Sequence, residues 1–272
     1  MEFRPLGRTG LEVPVIGMGT WKTFDVTGTV AEQERRAIVD RALTHGTTLF
    51  DTSPMYGASE LVLAKALVGR RENVIVADKV WTESAKEGKA QIARALEWYA
   101  GSVDIYQVHN LVAWEEHLPR LEELQARGAV KVVGATHYQD PALSDLMRVM
   151  ETGRLGMIQV PYNAVHRTVE KEVLPLAAEL GLGVLVMQPL GKGRLARDAP
   201  PVDALRRLDR FNVRTWAQAL LKWILSDPRV HCVIPATSKA DRAEENALAG
   251  VAPWFDDEAR AYVASLASAR RS

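Results

Sequence analysis

Short runs of β-branched and apolar residues alternate along this chain with longer stretches of helical periodicity. In the longer stretches apolar residues recur three or four positions apart, as at Leu118, Leu121 and Leu124. Because neighbouring parallel strands need a crossover connection, usually a helix, this alternation predicts a parallel α/β fold. Eight such units in 272 residues predict a closed (β/α)8 barrel, the TIM barrel. The strand-like runs end near Gly19, Asp51, Lys79, His109, Thr136, Gln159, Gln188 and Pro235.

The sequence also predicts how the chain is organised around that barrel. It contains no internal repeat, low-complexity tract or linker, so residues 1–272 are expected to form one domain. Ahead of the first barrel strand, two short apolar patches around residues 7–10 predict a β-hairpin that would plug the N-terminal face. A doubly wound open sheet is the alternative fold, but Gly17-Met-Gly19-Thr is only half of the Gly-x-Gly-x-x-Gly dinucleotide fingerprint.

Composition narrows the classes of function. The formal net charge is zero, which gives no electrostatic basis for binding nucleic acid or an anionic membrane. No run of about 18 apolar residues occurs, and the N-terminus lacks the apolar region of a signal peptide, so a cytoplasmic protein is expected. The single cysteine, Cys232, excludes an internal disulfide and lies in an apolar run that predicts a core position.

Four residues with proton-transfer chemistry lie at or just after the ends of neighbouring strand-like runs. Asp51, Lys79 and His109 close the second, third and fourth runs. Tyr56 follows Asp51 by one short loop, and barrel enzymes build their sites at the C-terminal ends of strands. The Lys79 ammonium is expected to lower the pKa of Tyr56 from about 10, with Asp51 holding Lys79. With His109 donating to the same oxygen, the set predicts protonation of a carbonyl, and a redox reaction there needs a cofactor as hydride source.

The chain resembles the aldo-keto reductases over nearly its whole length. The opening Leu-Gly-Arg-Thr-Gly-Leu-Glu-Val-Pro-Val-Ile-Gly-Met-Gly-Thr-Trp is similar to that family's hairpin and first strand. Asp51, Tyr56, Lys79 and His109 match its catalytic tetrad. The resemblance implies that Tyr56 is the acid, tuned by Lys79 and Asp51, while His109 orients the carbonyl. It further implies a barrel that binds NADPH in extended form across its C-terminal mouth, without a Rossmann domain.

Cofactor-binding positions are implied by the same resemblance. Gln159 matches the glutamine that holds the nicotinamide amide, and Thr136-His137 stands where the family has a Ser-Asn pair. Met187 falls where an aromatic residue commonly stacks on the nicotinamide ring. NADPH (NADP+) is the implied cofactor, with NADH as an alternative because a lysine often found after the proline is Ala236 here. The other implied contacts are Gly19, Thr20 and Trp21 by the cofactor and substrate, Gln188, Leu190 and Gly191 by the pyrophosphate, Thr237, Lys239 and Arg242 at the 2′-phosphate, and Glu245 and Asn246 at the adenine.

The expected function is therefore NADPH-dependent reduction of aldehydes or ketones to alcohols. Trp21, Trp81 and Trp114 follow the first, third and fourth strands and are expected to wall an apolar substrate pocket. The segment after His109 is short, and the tail beyond Pro253 is only a helix and a few residues. This predicts an open pocket suited to small aldehydes or dicarbonyls. The resemblance implies a monomer that acts on a small-molecule carbonyl compound.

Two other functions remain open. A metal-dependent barrel hydrolase would use Asp51, His109 and His137 as zinc ligands. The first strand lacks a His-x-His pair and Lys79 would repel a cation, so no metal is expected. A non-catalytic or slow nucleotide-sensing barrel subunit would keep the cofactor site without rapid turnover.

Overall fold

The computed structural model describes residues 1–269 and contains a barrel of eight parallel strands. The strands pair in chain order, and isolated parallel bridges from Ile16 to Val233 and from Gly19 to Ala236 join the last strand to the first. The (β/α)8 barrel expected from the sequence is confirmed. Numbered after the two strands of the N-terminal hairpin, the barrel strands are β3 Met18–Gly19, β4 Leu49–Asp51, β5 Ile75–Val80, β6 Val103–Val108, β7 Val130–Thr136, β8 Met157–Pro161, β9 Gly183–Met187 and β10 Cys232–Val233.

The antiparallel hairpin lies at the N-terminal end of the barrel, as the sequence predicts. Leu6 and Val13 are fully buried in an apolar cluster that also contains inward-facing residues of the barrel strands. The Arg8 N–H donates a 2.9 Å hydrogen bond to the carbonyl of Gly181, just before β9 begins. The opposite, C-terminal mouth is therefore left free by the hairpin. The two strands of the hairpin are β1 Phe3–Pro5 and β2 Glu12–Pro14.

Helices surround the barrel and bury the apolar stripes that the sequence shows. Leu118 and Leu121 are fully buried on one helix, and Trp216 and Trp223 are buried on another, where the sequence places them in the core. None of the helices in residues 1–269 combines the length and apolar character that crossing a membrane requires. The helices are α1 Thr29–Thr44, α2 Ser59–Ala66, α3 Ala85–Trp98, α4 Trp114–Ala126, α5 Leu143–Glu151, α6 Val173–Leu180, α7 Arg194–Arg197, α8 Val202–Leu205, α9 Trp216–Leu225, α10 Ala240–Ala247 and α11 Asp257–Ser268.

Barrel strands are buried on both faces, which explains why their sequences are nearly continuous apolar runs. Every residue of β6 is buried, for example. The outward faces pack against the helices, and the inward faces form a small apolar cluster that includes the free Cys232, buried as expected. Towards the C-terminal mouth this apolar interior gives way to polar side chains, beginning with Asp51 and Lys79.

Candidate active site

A buried ion pair forms the floor of the mouth. Lys79 Nζ donates to both carboxylate oxygens of Asp51 at 2.7 Å and to the carbonyl of Thr52 at 2.7 Å. Lys79 is fully buried and Asp51 is 2% exposed. Asp51 Oδ2 also accepts from the side-chain amides of Gln159 at 2.8 Å and Gln107 at 3.4 Å. Donors around the carboxylate offset the cost of burying its charge.

Tyr56 lies beside this pair on a single 3-10 turn, Pro54–Tyr56, which follows β4. The Lys79 ammonium is 5.3 Å from the centroid of the Tyr56 ring. The His109 ring packs edge-on against Tyr56 with 5.7 Å between ring centroids. The four side chains that the sequence places at strand ends thus meet in one cluster.

Burial raises the pKa of the Tyr56 hydroxyl; the Lys79 ammonium acts to lower it and the Asp51 carboxylate to raise it further. The sequence-based expectation of a lowered pKa is therefore wrong in its net direction. The reason is that the loss of solvation is the largest influence on the phenol and outweighs the effect of Lys79, which the charge of Asp51 offsets in part. Tyr56 consequently keeps its proton at neutral pH.

Lys79 stays charged in spite of its burial. Loss of solvation acts to lower its pKa, but the charge of Asp51 and the hydrogen bond to Asp51 raise it, and the net shift is upward. The ammonium can therefore stabilise negative charge that develops on the Tyr56 oxygen during a proton transfer.

His109 is held by a residue that the sequence reasoning missed. Its Nδ1 lies 2.8 Å from the hydroxyl oxygen of Ser53, and both side chains are buried. Burial, with the charges of Lys79 and His137, lowers the pKa of His109 to about 2, so the ring is neutral. Ser53 directly precedes Pro54, a pattern typical of a cap, so the sequence could have identified it as the cap of the Tyr56 turn but not as the partner of His109.

Gln107 is the second functional residue that sequence reasoning missed. It lies two positions before His109 on the same strand, and residues two apart on a strand share a face. That spacing alone placed an amide beside the predicted site. Its side chain completes the hydrogen-bond shell of Asp51, and it is fully buried.

A cavity of about 430 Å³ opens above the cluster. Lys22, Met55, Asn110 and Tyr138, which the sequence did not point to, also contribute to its wall, as does Lys192 of the loop after β9. Most of its remaining surface is apolar carbon, which suits an organic ligand with few polar groups. The sequence-predicted residues that line it are Gly19, Thr20, Trp21, Asp51, Tyr56, His109, Gln159, Met187, Gln188 and Leu190.

Two of the three predicted pocket tryptophans lie away from this cavity. Trp81 is 39% exposed and does not contribute to the cavity wall, and its backbone N–H donates to the side chain of Gln91 at 2.9 Å. Trp114 begins α4 and packs against the outer apolar core. Trp21 does line the cavity, together with Met55, so the apolar wall is built from other loops than expected.

Of the residues predicted to bind the nicotinamide amide, one lines the cavity and two do not. Gln159 lines the cavity, whereas Thr136 is fully buried and its hydroxyl oxygen accepts the N–H of Asn110 at 3.2 Å. His137 Nδ1 accepts the N–H of Gln139 at 3.1 Å, outside the cavity lining. Within residues 1–269 no cluster of three or more His, Cys, Asp or Glu side chains could hold a metal ion.

The residues predicted for the phosphate lie at and beside the start of α10, and those predicted for the adenine lie in its last turn. The Thr237 hydroxyl accepts the N–H of Lys239 at 3.1 Å, which fixes the turn into the helix. Arg242 pairs with Glu245 at 2.5 Å, and Asn246 is buried. A helix N-terminus with two nearby cations favours an anion such as phosphate.

The loop after β9 has a backbone that is open to a ligand. Gly191 and Gly193 have φ values of +57° and +84°, a region that favours glycine. A Cβ placed on Gly193 meets no atom within 4 Å, so the backbone on this side of the cavity is uncovered. The exposed Lys192 between them adds a positive charge. These features fit the pyrophosphate of an extended dinucleotide.

Comparisons with known proteins identify the family. The model of the Aldo/keto reductase family matches residues 15–267. The chain is 28% identical to aldo-keto reductase YhdN of Bacillus subtilis (strain 168), over 93% of this chain and 89% of that protein. It is 26% identical to probable aldo-keto reductase 1 of Glycine max, over 89% of this chain and 82% of that protein.

Solved structures show the same fold. Aldo-keto reductase AKR11C1 from Bacillus halodurans (holo form) has a TM-score of 0.80 and 26% identity, covering 98% of this chain and 96% of its own. An aldo-keto reductase from Klebsiella pneumoniae in complex with NADPH has a TM-score of 0.82 and 24% identity, covering 98% and 95%.

Proposed function

This chain belongs to the aldo/keto reductase family, and we propose that it reduces aldehydes or ketones to alcohols, with NADPH as cofactor and Tyr56 as proton donor. The observation that carries the proposal is the cluster at the cavity floor. There, the Tyr56 and His109 rings are 5.7 Å apart, and the Lys79–Asp51 ion pair lies beside them.

Tyr56 and neutral His109 supply two donors for one carbonyl oxygen. Because the pKa of Tyr56 is raised, its hydroxyl holds a proton until negative charge develops on the substrate oxygen. Tyr56 then transfers that proton, and the ammonium of Lys79 stabilises the phenolate that remains. His109 keeps the carbonyl oxygen in place by a hydrogen bond and stays neutral throughout.

The cofactor would be held along the mouth by residues of three segments. Gln159 would bind the nicotinamide amide, the backbone of residues 190–193 the pyrophosphate, and Lys239 and Arg242 the 2′-phosphate at the start of α10. When bound, NADPH supplies the hydride that none of the protein's own side chains can supply. Gln159 already donates to Asp51, which fixes the orientation of its amide.

The substrate would be a small carbonyl compound with an apolar body. Trp21, Met55 and Tyr138 give the cavity its apolar wall, and the exposed Lys22 lies at the rim. The nicotinamide would fill part of the cavity, and the volume that remains suits small aldehydes and dicarbonyls. The proposal includes action as a monomer in the cytoplasm, without a nucleic acid partner, in keeping with a net charge of zero.

The proposal is tested by a panel of aldehydes and ketones with NADPH or NADH, read by loss of the reduced cofactor. Tryptophan fluorescence titration measures cofactor binding in parallel, because Trp21 lines the cavity. We expect turnover of several small aldehydes and tighter binding of NADPH than of NADH. Lys239→Ala and Arg242→Ala are expected to weaken NADPH binding and leave NADH binding unchanged. Tight NADPH binding with negligible turnover of every carbonyl contradicts the proposal and supports a nucleotide sensor.

A further inference from the structure

Ser53 lies between the proton-donating turn and His109 and touches both. Its hydroxyl oxygen is 2.8 Å from Nδ1 of His109 and accepts the backbone N–H of Met55 at 3.2 Å. Its backbone is extended, with φ −168° and ψ 147°, and it caps the turn that carries Tyr56. Ser53 is fully buried and His109 is 5% exposed, so solvent does not compete for these bonds.

The hydrogen bonds of the Ser53 hydroxyl indicate which nitrogen of His109 carries a proton. The Met55 N–H occupies one acceptor position of the hydroxyl oxygen, and the single hydroxyl hydrogen needs an acceptor of its own. Among residues 1–269, the only other hydrogen-bond partner of that hydroxyl is Nδ1 of His109. If Nδ1 were the donor, the buried hydroxyl hydrogen would have no acceptor, which is costly. The arrangement therefore favours Nδ1 as acceptor and Nε2 as the protonated nitrogen.

This choice matters because only a protonated nitrogen can donate to a carbonyl oxygen. Nδ1 is occupied by Ser53, so Nε2 is the ring nitrogen that His109 presents to the cavity. A neutral imidazole in the other tautomer would present a lone pair to the substrate oxygen and repel it. A residue that selects the tautomer thereby acts on the reaction through His109.

We propose that Ser53 is a positioning residue, whose hydroxyl donates to Nδ1 of His109 and so fixes the Nε2–H tautomer facing the substrate. The proposal rests on the proposed carbonyl reduction for its consequence in catalysis, but the tautomer itself is a property of the protein alone. Ser53 also connects this choice to Tyr56, because the same hydroxyl oxygen holds the N–H of Met55 in the Tyr56 turn. One side chain thus aligns both donors of the site.

The test is long-range ¹⁵N–¹H correlation NMR of the histidine rings in the full-length protein, with His109 assigned by the loss of its signals in His109→Asn. We expect the Nε2–H pattern in wild type and in Ser53→Thr, which keeps a hydroxyl. In Ser53→Ala we expect a mixture of tautomers or the Nδ1–H form. Ser59→Ala is the matched control, because the Ser59 hydroxyl donates to the carbonyl of Tyr56 at 2.8 Å without touching His109. It should leave the His109 spectrum unchanged.

Kinetics supply the second readout. Loss of one orienting hydrogen bond is expected to lower kcat of Ser53→Ala about 10-fold to 100-fold, with recovery in Ser53→Thr and an unchanged NADPH dissociation constant. An Nδ1–H tautomer in wild type, or an unchanged His109 spectrum in Ser53→Ala, overturns the proposal regardless of activity. If the tautomer shifts as expected but no carbonyl is reduced by wild type, the positioning role stands and the proposed function fails.

Discussion

Strand β5 carries one buried ionisable residue on each of its two faces, and the two residues have different kinds of partner. Asp78 and Lys79 are neighbours on this strand, so their side chains point to opposite faces, and both are fully buried. On the inner face Lys79 meets the carboxylate of Asp51. On the outer face Asp78 meets another acid, Glu60 of α2, which is 5% exposed.

The partners decide which charges persist. Asp78 Oδ1 accepts the backbone N–H of Lys79 at 2.8 Å, but no N–H or hydroxyl of residues 1–269 reaches its Oδ2. Burial, together with the neighbouring Asp78, raises the pKa of Glu60 to about 9, and burial raises that of Asp78 to about 7. A proton on Glu60 then supplies the missing donor to Asp78. Equal burial therefore preserves charge where a cation is present and suppresses it where two acids meet.

The largest effect on stability is expected when the Lys79–Asp51 ion pair on the inner face is broken. Lys79→Met leaves Asp51 buried without its cation, which is expected to cost ~3–5 kcal/mol in the free energy of unfolding. Adding Asp51→Asn removes the stranded charge, so the double variant should recover most of that loss but not the activity. Urea denaturation and steady-state kinetics of the three proteins measure this. If the two substitutions destabilise additively, the carboxylate is not dependent on Lys79 as described.

The next largest effect is expected from Asp78 and Glu60, the pair on the outer face, which should make the stability of the protein depend on pH. The folded state holds protons that the unfolded state releases at its ordinary carboxyl pKa of about 4. That stabilisation is complete below about pH 4. It is lost progressively as pH rises from there to about 7 for Asp78 and to about 9 for Glu60. The free energy of unfolding should fall between pH 6 and 9, by up to ~1.4 kcal/mol per pH unit for each excess proton.

Glu60→Gln distinguishes this pair from the rest of the chain. The amide cannot titrate and can donate to Asp78 permanently, so the pH dependence of the urea midpoint should become much flatter. Glu97→Gln on the exposed surface is the matched control and should keep the wild-type slope. A Glu60→Gln protein with an unchanged slope would show that the outer acids do not share a proton.

The smallest expected effect is on the inner face and sharpens the contrast. Because the pKa of His109 is about 2 and that of Tyr56 is raised above its usual value near 10, neither changes protonation between pH 6 and 9. We therefore expect kcat at saturating NADPH to stay nearly constant over the range in which stability falls. A bell-shaped profile with a midpoint near 6.5 would contradict the neutral, buried state of His109.

Topology explains why much of the site was predictable. The C-terminal ends of parallel strands in a barrel share one rim, so the positions of Asp51, Lys79 and His109 in the sequence were sufficient to bring them together. The hairpin and the helices followed from turn residues and from apolar periodicity in the same way. These features depend on local pattern and connectivity, both of which are written in the sequence.

The parts that sequence reasoning missed depend on distances between segments. The net pKa shift of Tyr56 combines the effect of burial with those of two opposing charges, and the size of each effect depends on the folded structure. The hydroxyl of Ser53 reaches His109 across 56 positions of sequence, and nothing local predicts that contact. Trp81 follows a strand as expected, yet its side chain is exposed and takes no part in the cavity wall.

The most direct test is a single-turnover comparison of wild type and Tyr56→Phe, each loaded with NADPH and mixed with one aldehyde that wild type reduces. Phenylalanine keeps the ring packed against His109 and removes only the hydroxyl that we propose as the proton donor. We predict that the loss of NADPH absorbance is at least ~100-fold slower in Tyr56→Phe, with an unchanged NADPH dissociation constant. Equal rates in the two proteins would contradict the assignment of Tyr56 as the proton donor.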